Sequence, residues 1–372
     1  MDKKYKLTEE TINLNGITLY RIEALKDFAN VKKGDKGGFV EKESNLFQSG
    51  DCWVYHNAEV FGNAEVFGNA KVCGNAVVSG NAKVYGNAVV CDYAKVRNEA
   101  KVRDDVVVCG TARVYGNARV YNNARIYGDA FVYDNAEVCG DAFVYDNAEV
   151  FGKAVVRDNA KVSDNAMVCD NAKVYGNARV YCNAWVFGNA MVYGNAEVFD
   201  NAAIYDNALV CDNAEISGDA KIFGNSQIRC DAVVCEDAKI YGHAIVCGNA
   251  DVYGNARIYG NAQVSGNAQV FGNTEIRGDA VITNKSDYIL FKNWWSSGRF
   301  FTWTRSNNMW KVGCFYGTGE ELIEKAYKDS EMSGEEYERV VKYVDAILKA
   351  NKLCQCKGAV RKGCAFFRAE FL

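Results

Sequence analysis

Proline is absent from this 372-residue chain, and histidine occurs only twice. No apolar run approaches the ~18 residues a membrane-crossing helix needs, which excludes such a span. The first residues, MDKKYKLTEE, hold no apolar signal core, so export is not expected. Neither sign of charge dominates: 43 Lys and Arg face 47 Asp and Glu, a net charge of -4. The chain therefore lacks the strongly basic character of a nucleic-acid binder. No P-loop, G-x-S-x-G or H-E-x-x-H motif occurs. What is abundant points elsewhere. Hydrophobic residues make up 49%, too many for a disordered chain, and 15 cysteines without a secretion signal read as reduced thiols in a cytoplasmic protein.

The chain repeats itself every six residues, as in VYGNAR, VYNNAR, IYGDAF and VYDNAE. Each sixth position from Val54 to Ile282, 39 in all, is Val or Ile, and no insertion shifts the frame. Two residues earlier the residue is Ala at 35 positions, with Cys52, Val106, Ser226 and Thr274 as exceptions. Three residues later it is Asn or Asp at 33 of 38 positions, usually after Gly or Asp. β-Branched residues favour strands, and residues two apart share a face, so Ala and Val/Ile point inward together. Gly-Asn and Asp-Asn tolerate left-handed backbone and mark corners. A four-residue strand with a two-residue corner suits a continuous coil with three strands per turn. Thirty-nine strands then make 13 coils, roughly 60 Å of stacked strands at ~4.8 Å each.

The unit Val60-Phe61-Gly62-Asn63-Ala64-Glu65 resembles the repeat of hexapeptide-repeat proteins, and the likeness covers about 230 residues. That resemblance implies a three-sided, left-handed parallel β-helix, an all-β solenoid. Gly prefers the second place after the aliphatic residue rather than the first, a departure from the family pattern. The string GDKGGFVEKESNL followed by CWVY also resembles the amino-terminal part of bacterial and phage-encoded proteins, some labelled hexapeptide acyltransferases. It implies acyl transfer from acyl-coenzyme A as one possible activity.

Residues 1–53 read as a β cap, with a hairpin turning at Asn13-Leu14-Asn15-Gly16. Residues 284–372 read as a small α+β domain with a basic tail. Strands are expected over Tyr288–Trp295 and Phe300–Phe315, and helices over Gly319–Asp329 and Ser333–Lys352, the second opened by a Ser333/Glu336 capping box. This segment carries a net +4, against -8 for residues 54–283.

Candidate chemistry is sparse. His56 lies at the first corner and His243 in a corner column, ~50 Å apart, so they cannot act together in one chain. His243 is the better candidate for a general base, at a subunit interface, but reads first as a corner substitution. No catalytic residue and no cofactor are expected, acyl-coenzyme A entering only with acyl transfer. Cys73, Cys91 and Cys109 stack at intervals of 18; such a ladder can bind metal or oxidise, but ordinary filling of the column is the preferred reading. Cys354, Cys356 and Cys364, with Cys314, form a weaker possible zinc set. Arg97 and Arg103 fall where Tyr93, Glu99, Asp105 and Thr111 replace corner Asn, and a loosened pattern can mark a site.

The strongest signal is aromatic. Of the 39 outward positions after Val/Ile, 21 are Tyr or Phe. One side gathers Phe131, Tyr133, Phe151, Met167, Trp185, Phe187, Tyr205 and Phe223 into an apolar strip of a kind monomers rarely expose. The expected function is a non-enzymatic scaffold that uses its flat faces to associate with itself, a trimer before a dimer, or with a protein partner. Hexapeptide-type acyl transfer is the alternative, and a phage-type protein binding a host factor or sequestering a small molecule is the second.

Overall fold

The computed structural model describes residues 3–293 and 298–356, with side chains to residue 350. It divides into two compact units, residues 1–287 and 288–372.

The first unit is a parallel β-solenoid. Each Val/Ile closes a two-residue strand, and strands 18 residues apart pair in register, as Met167 and Val168 do with Trp185 and Val186. Three parallel sheets result. The first face runs from Phe39–Val40 through Glu59–Val60 to Glu275–Ile276. The second runs from Trp53–Val54 to Gln269–Val270, and the third from Glu65–Val66 to Val281–Ile282. All 39 Val/Ile side chains are buried, and so is the whole Ala column. Of its exceptions, Ser226 and Thr274 donate their hydroxyls to the carbonyls of Phe223 and Phe271 at 2.8 and 2.6 Å, so neither is left unsatisfied.

The absence of proline now has a reason. Alternate backbone N–H groups donate to the next coil, as Glu149 and Phe151 do to Ala166 and Val168 at 3.0 Å. Others close the corners, as Ala154 does onto Phe151 at 3.2 Å. Proline would remove such a donor. Left-handed φ values recur at each corner, for example +68° at Gly152 and +58° at Asp170.

The solenoid begins one coil earlier than the periodicity predicts. Val40 pairs in parallel with Val60, and Leu46 bridges Val66, giving about 14 turns. This coil is invisible to a six-residue frame because the spacing from Leu46 to Val54 is eight rather than six. The glycines of the GDKGGFV string permit it. A Cβ on Gly37 would lie 2.6 Å from the Val54 carbonyl oxygen, and one on Gly38 2.5 Å from that of Ala58.

The hairpin Tyr5–Leu14 and Ile17–Ala24 extends the first face past this coil. Its turn residues Asn15 and Gly16 both have positive φ, as a two-residue hairpin turn requires. Buried Lys4 donates to the Gly50 and Cys52 carbonyls at 3.1 and 2.9 Å, and the Tyr5 hydroxyl donates to the Leu46 carbonyl at 2.7 Å. These bonds fill the Gly50, Cys52 and Leu46 carbonyls at the open end of the coil stack.

The second unit has an antiparallel sheet of Tyr288–Lys292, Phe300–Thr304, Met309–Val312 and Phe315–Gly317, then helices α1 (Gly319–Asp329) and α2 (Glu331–Cys356). Trp303, Trp310, Leu322, Tyr337 and Val344 contribute to one core. The capping box belongs to α1, between Thr318 and Glu321. For α2, which starts two residues earlier than expected, Ser330 precedes the helix and its hydroxyl accepts the Ser333 N–H at 3.1 Å. Trp294, Trp295 and Cys364 lie outside the described residues.

Candidate functional site

The corner columns contribute structure before chemistry. Asn side chains form ladders, each amide nitrogen donating to the amide oxygen one coil on. Asn159, Asn177, Asn195 and Asn213 make one such run, which ends on Asp231. Runs from Asn63 and Asn69 end on Glu99 and Asp105. A carboxylate only accepts, so an acid terminates a ladder where Asn would continue it. Glu99 and Asp105, flagged by sequence as irregular, are such ends. In the neighbouring column Asp carboxylates accept the N–H one coil on, as Asp158 does from Gly176 at 3.2 Å. His56 occupies that column, and its Nδ1 accepts the Gly74 N–H at 3.3 Å. His56 is thereby assigned a corner role. His243 is an exposed corner residue on a distant coil.

Aromatic residues stack up the first face. Tyr115, Tyr133 and Phe151 lie ring on ring at 4.9 Å. After Cys169 the stack resumes through Phe187, Tyr205, Phe223, Tyr241 and Tyr259 at 4.8–4.9 Å. Arg277 closes it, 5.5 Å above the Tyr259 ring. Stacking half-buries these rings, and Phe131 and Met167 are half-buried as well. Trp185 is different: its indole is 49% exposed and meets Phe187 edge-on at 6.4 Å. The strip is also interrupted by Glu149, which accepts the Tyr133 hydroxyl at 3.1 Å, and by exposed Lys221.

Above the strip, Lys95, Arg97, Asn98, Arg113, Tyr115 and Phe131 line a depression of about 360 Å³. Arg113 lies 5.0 Å over the Phe131 ring. None of its three cations forms an ion pair among the described residues, whereas Lys83, Arg119 and Arg179 on the third and second faces each pair with a glutamate one coil away. The loosened corner residue Tyr93, 59% exposed, belongs to the same coil as Lys95. Sequence reasoning noticed Arg97 and Tyr93 but not Lys95 and Arg113, because it read basic residues only in the column after Val/Ile and the one before it only for apolar ones.

The cysteine column separates into two kinds. Cys139 and Cys211 are buried and each hydrogen-bonds the tyrosine one coil back, Tyr121 and Tyr193. Those bonds to sulfur, with burial, push both hydroxyls up to about 12. Cys73, Cys91 and Cys109 instead hydrogen-bond one another. Burial first, then the neighbouring thiols, pushes Cys73 up to about 11 and Cys109 to about 12. Cys314 is exposed in the second unit, while the side chains of Cys354 and Cys356 and all of Cys364 lie outside the description.

Comparison with known proteins agrees with the repeat. A family model described as "YdcK Beta solenoid repeat" matches residues 112–128 and 250–266. The chain is 35% identical over 68 residues to a protein of Escherichia coli (strain K12) named "Uncharacterized acetyltransferase YdcK". That match covers 16% of this chain and 21% of the relative, so the chain spans about a fifth of the curated relative it matches. A solved UDP-N-acetylglucosamine acyltransferase from Arabidopsis aligns over 78% of this chain and 98% of its own, at 12% identity and a TM-score of 0.23. No shared site is read from so low a score. The chain is a β-solenoid repeat protein with similarity, over 68 residues, to a protein named as an acetyltransferase.

Proposed function

We propose that this protein is a non-enzymatic repeat scaffold that associates with further copies of itself through the first face of the solenoid. The observation that carries the reading is Trp185, a half-exposed indole central to the aromatic columns of that face. Full burial of a large apolar side chain contributes about 1.5–3 kcal/mol. The stacked rings have already buried their flat sides, so each adds less than that, and Trp185 is the anchor. A closed symmetric assembly covers such a face without a second protein, and the resemblance to hexapeptide-repeat proteins favours three chains.

The test is light scattering on the parent and on Trp185→Lys. Lysine is tolerated at equivalent places of the same column, Lys221 and Lys239, so the variant should fold. An oligomeric parent and a variant at least tenfold weaker in association are expected. A monomeric parent, whether its strip is left open or shielded within the chain, ends the reading.

A second reading, acyl transfer from acyl-coenzyme A, is favoured by the similarity to a protein named as an acetyltransferase. Acetyl-coenzyme A turnover by the parent, lost in His243→Ala, supports that reading over the scaffold.

A further inference from the structure

From the geometry of the second face we infer a binding site for a thiophilic divalent cation of the zinc class, made by Cys91 Sγ, Cys109 Sγ and the Asp92 carboxylate. The metal-ligating atoms of these three residues all lie within 4.8 Å of one another. No other such cluster of His, Cys, Asp and Glu occurs among the described residues. In tetrahedral zinc coordination, bonds of about 2.3 Å to sulfur and 2.0–2.2 Å to oxygen place neighbouring donors roughly 3.5–3.8 Å apart. Closing from 4.8 Å to that distance asks for movements of about 1.3 Å at most.

The backbone beneath is fixed. Cys91 N donates to Val108 O at 2.9 Å, and Cys109 N to Ile126 O at 3.0 Å. Asp92 is held at φ +59°, with Oδ2 accepting the Gly110 N–H at 3.1 Å. That bond orients the carboxylate as an outer-shell partner does in a metal site, and leaves Oδ1 for the ion. Cys73 Sγ, hydrogen-bonded to Cys91, is a further thiol one coil back, and water fills the fourth position. Binding balances as two thiols giving up two protons to solvent and forming two metal–sulfur bonds, with no change of oxidation state.

This run of three differs from the other cysteines of the column. Cys139 and Cys211 have tyrosine partners, whereas Cys73, Cys91 and Cys109 have sulfur partners, with Asp92 at the corner after Cys91. Serine fills equivalent places of this face at Ser163 and Ser217, so Cys→Ser variants should keep the fold.

The experiment titrates the reduced full-length protein with Co(II), then displaces it with Zn(II). Expected is one equivalent with the near-ultraviolet sulfur-to-cobalt charge-transfer band and the intense visible bands of tetrahedral cobalt. Cys91→Ser and Cys109→Ser should each weaken binding at least 100-fold, and Asp92→Asn about tenfold. Cys169→Ser, whose thiol has no cysteine neighbour in its column, should leave it unchanged. The inference is overturned if the parent takes up no cobalt with thiolate bands. It is also overturned if Cys91→Ser binds as the parent does, or if the equivalent is lost instead on changing Cys354 and Cys364 to serine. Oligomeric state, measured alongside, keeps this outcome separate from the scaffold reading.

Discussion

The two units of this chain solve the same packing problem with opposite kinds of sequence. The solenoid uses one small answer 39 times: a Val or Ile in the middle of a side, an Ala beside the corner in 35 of them, and a partner strand 18 residues away. The carboxy-terminal unit uses each residue once. Trp303, Trp310, Leu322 and Val344 are not interchangeable, and their neighbours come from both sheet and helices. In the solenoid each coil touches only its neighbours, so stability is close to a sum of coil and interface contributions. In the small unit one core is shared by every element.

The largest expected effect tests that difference directly. Val168 lies at the middle of the first face with no exposed surface. Val168→Asp places an unpaired charge among valines and alanines and should cost at least about 4 kcal/mol. Hydrogen exchange followed by mass spectrometry should show protection lost in the coils on either side, grading outward along the stack. Peptides from residues 300–350 should keep theirs. A variant that melts like the parent refutes the inward assignment of the column, and loss of protection at both ends in step refutes independent units.

Much of this was legible in the sequence, and the reasons are physical. A strict period fixes which residues face inward, because a one-residue slip would turn every Val outward. The first coil escaped because a spacing of eight, not six, from Leu46 to Val54 breaks the frame while the pairing continues. The start of α2 was misplaced because a Ser-Gly-Glu-Glu string satisfies the capping pattern equally well one helical position or several inside the helix. At the candidate sites, columns were readable but distances across them were not. The convergence of Lys95, Arg97 and Arg113 requires reading both outward columns together. The difference between solitary and mutually bonded cysteines depends on what lies one coil away.

A second, smaller effect separates the units by pH. In the solenoid, burial raises Cys73, Cys109 and Cys169, and bonds to sulfur with burial raise Tyr121 and Tyr193. Glu149, Glu197 and Glu275 add to burial in raising Tyr133, Tyr181 and Tyr259. A group whose pKa is raised on folding keeps its proton longer in the folded chain. Its stabilising contribution is full below the unfolded pKa, about 8.5 for Cys and 10 for Tyr, and declines as pH rises towards the folded value. Solenoid stability should therefore fall from about pH 8.5 upward, by a few kcal/mol at most given how much of these groups is in water. The small unit offers exposed Tyr327, raised by its bond to Glu338, and should respond less. Exchange rates corrected for their intrinsic pH dependence would show the two units diverging. Equal loss in both would remove the cysteine and tyrosine columns as the cause.

The smallest effect concerns the Asn ladders, where repetition itself makes the prediction. Asn177 accepts from Asn159 at 3.0 Å and donates to Asn195 at 3.0 Å. Both bonds are exposed, so Asn177→Ala should cost only about 0.5–1.5 kcal/mol. Asn177→Asp keeps the acceptor for Asn159 but removes the donor, leaving a carboxylate against the Asn195 amide oxygen. Asp231, by contrast, is already the end of this run, with Asn213 donating to it at 2.8 Å. Asp231→Asn keeps that acceptor, so it should change stability by no more than ~0.5 kcal/mol. The same pair of amino acids exchanged in opposite senses, at two places in one column, should therefore give unequal melting shifts. Equal shifts would mean that these side chains are ordinary solvated corner residues, and that Asn and Asp are interchangeable along the column.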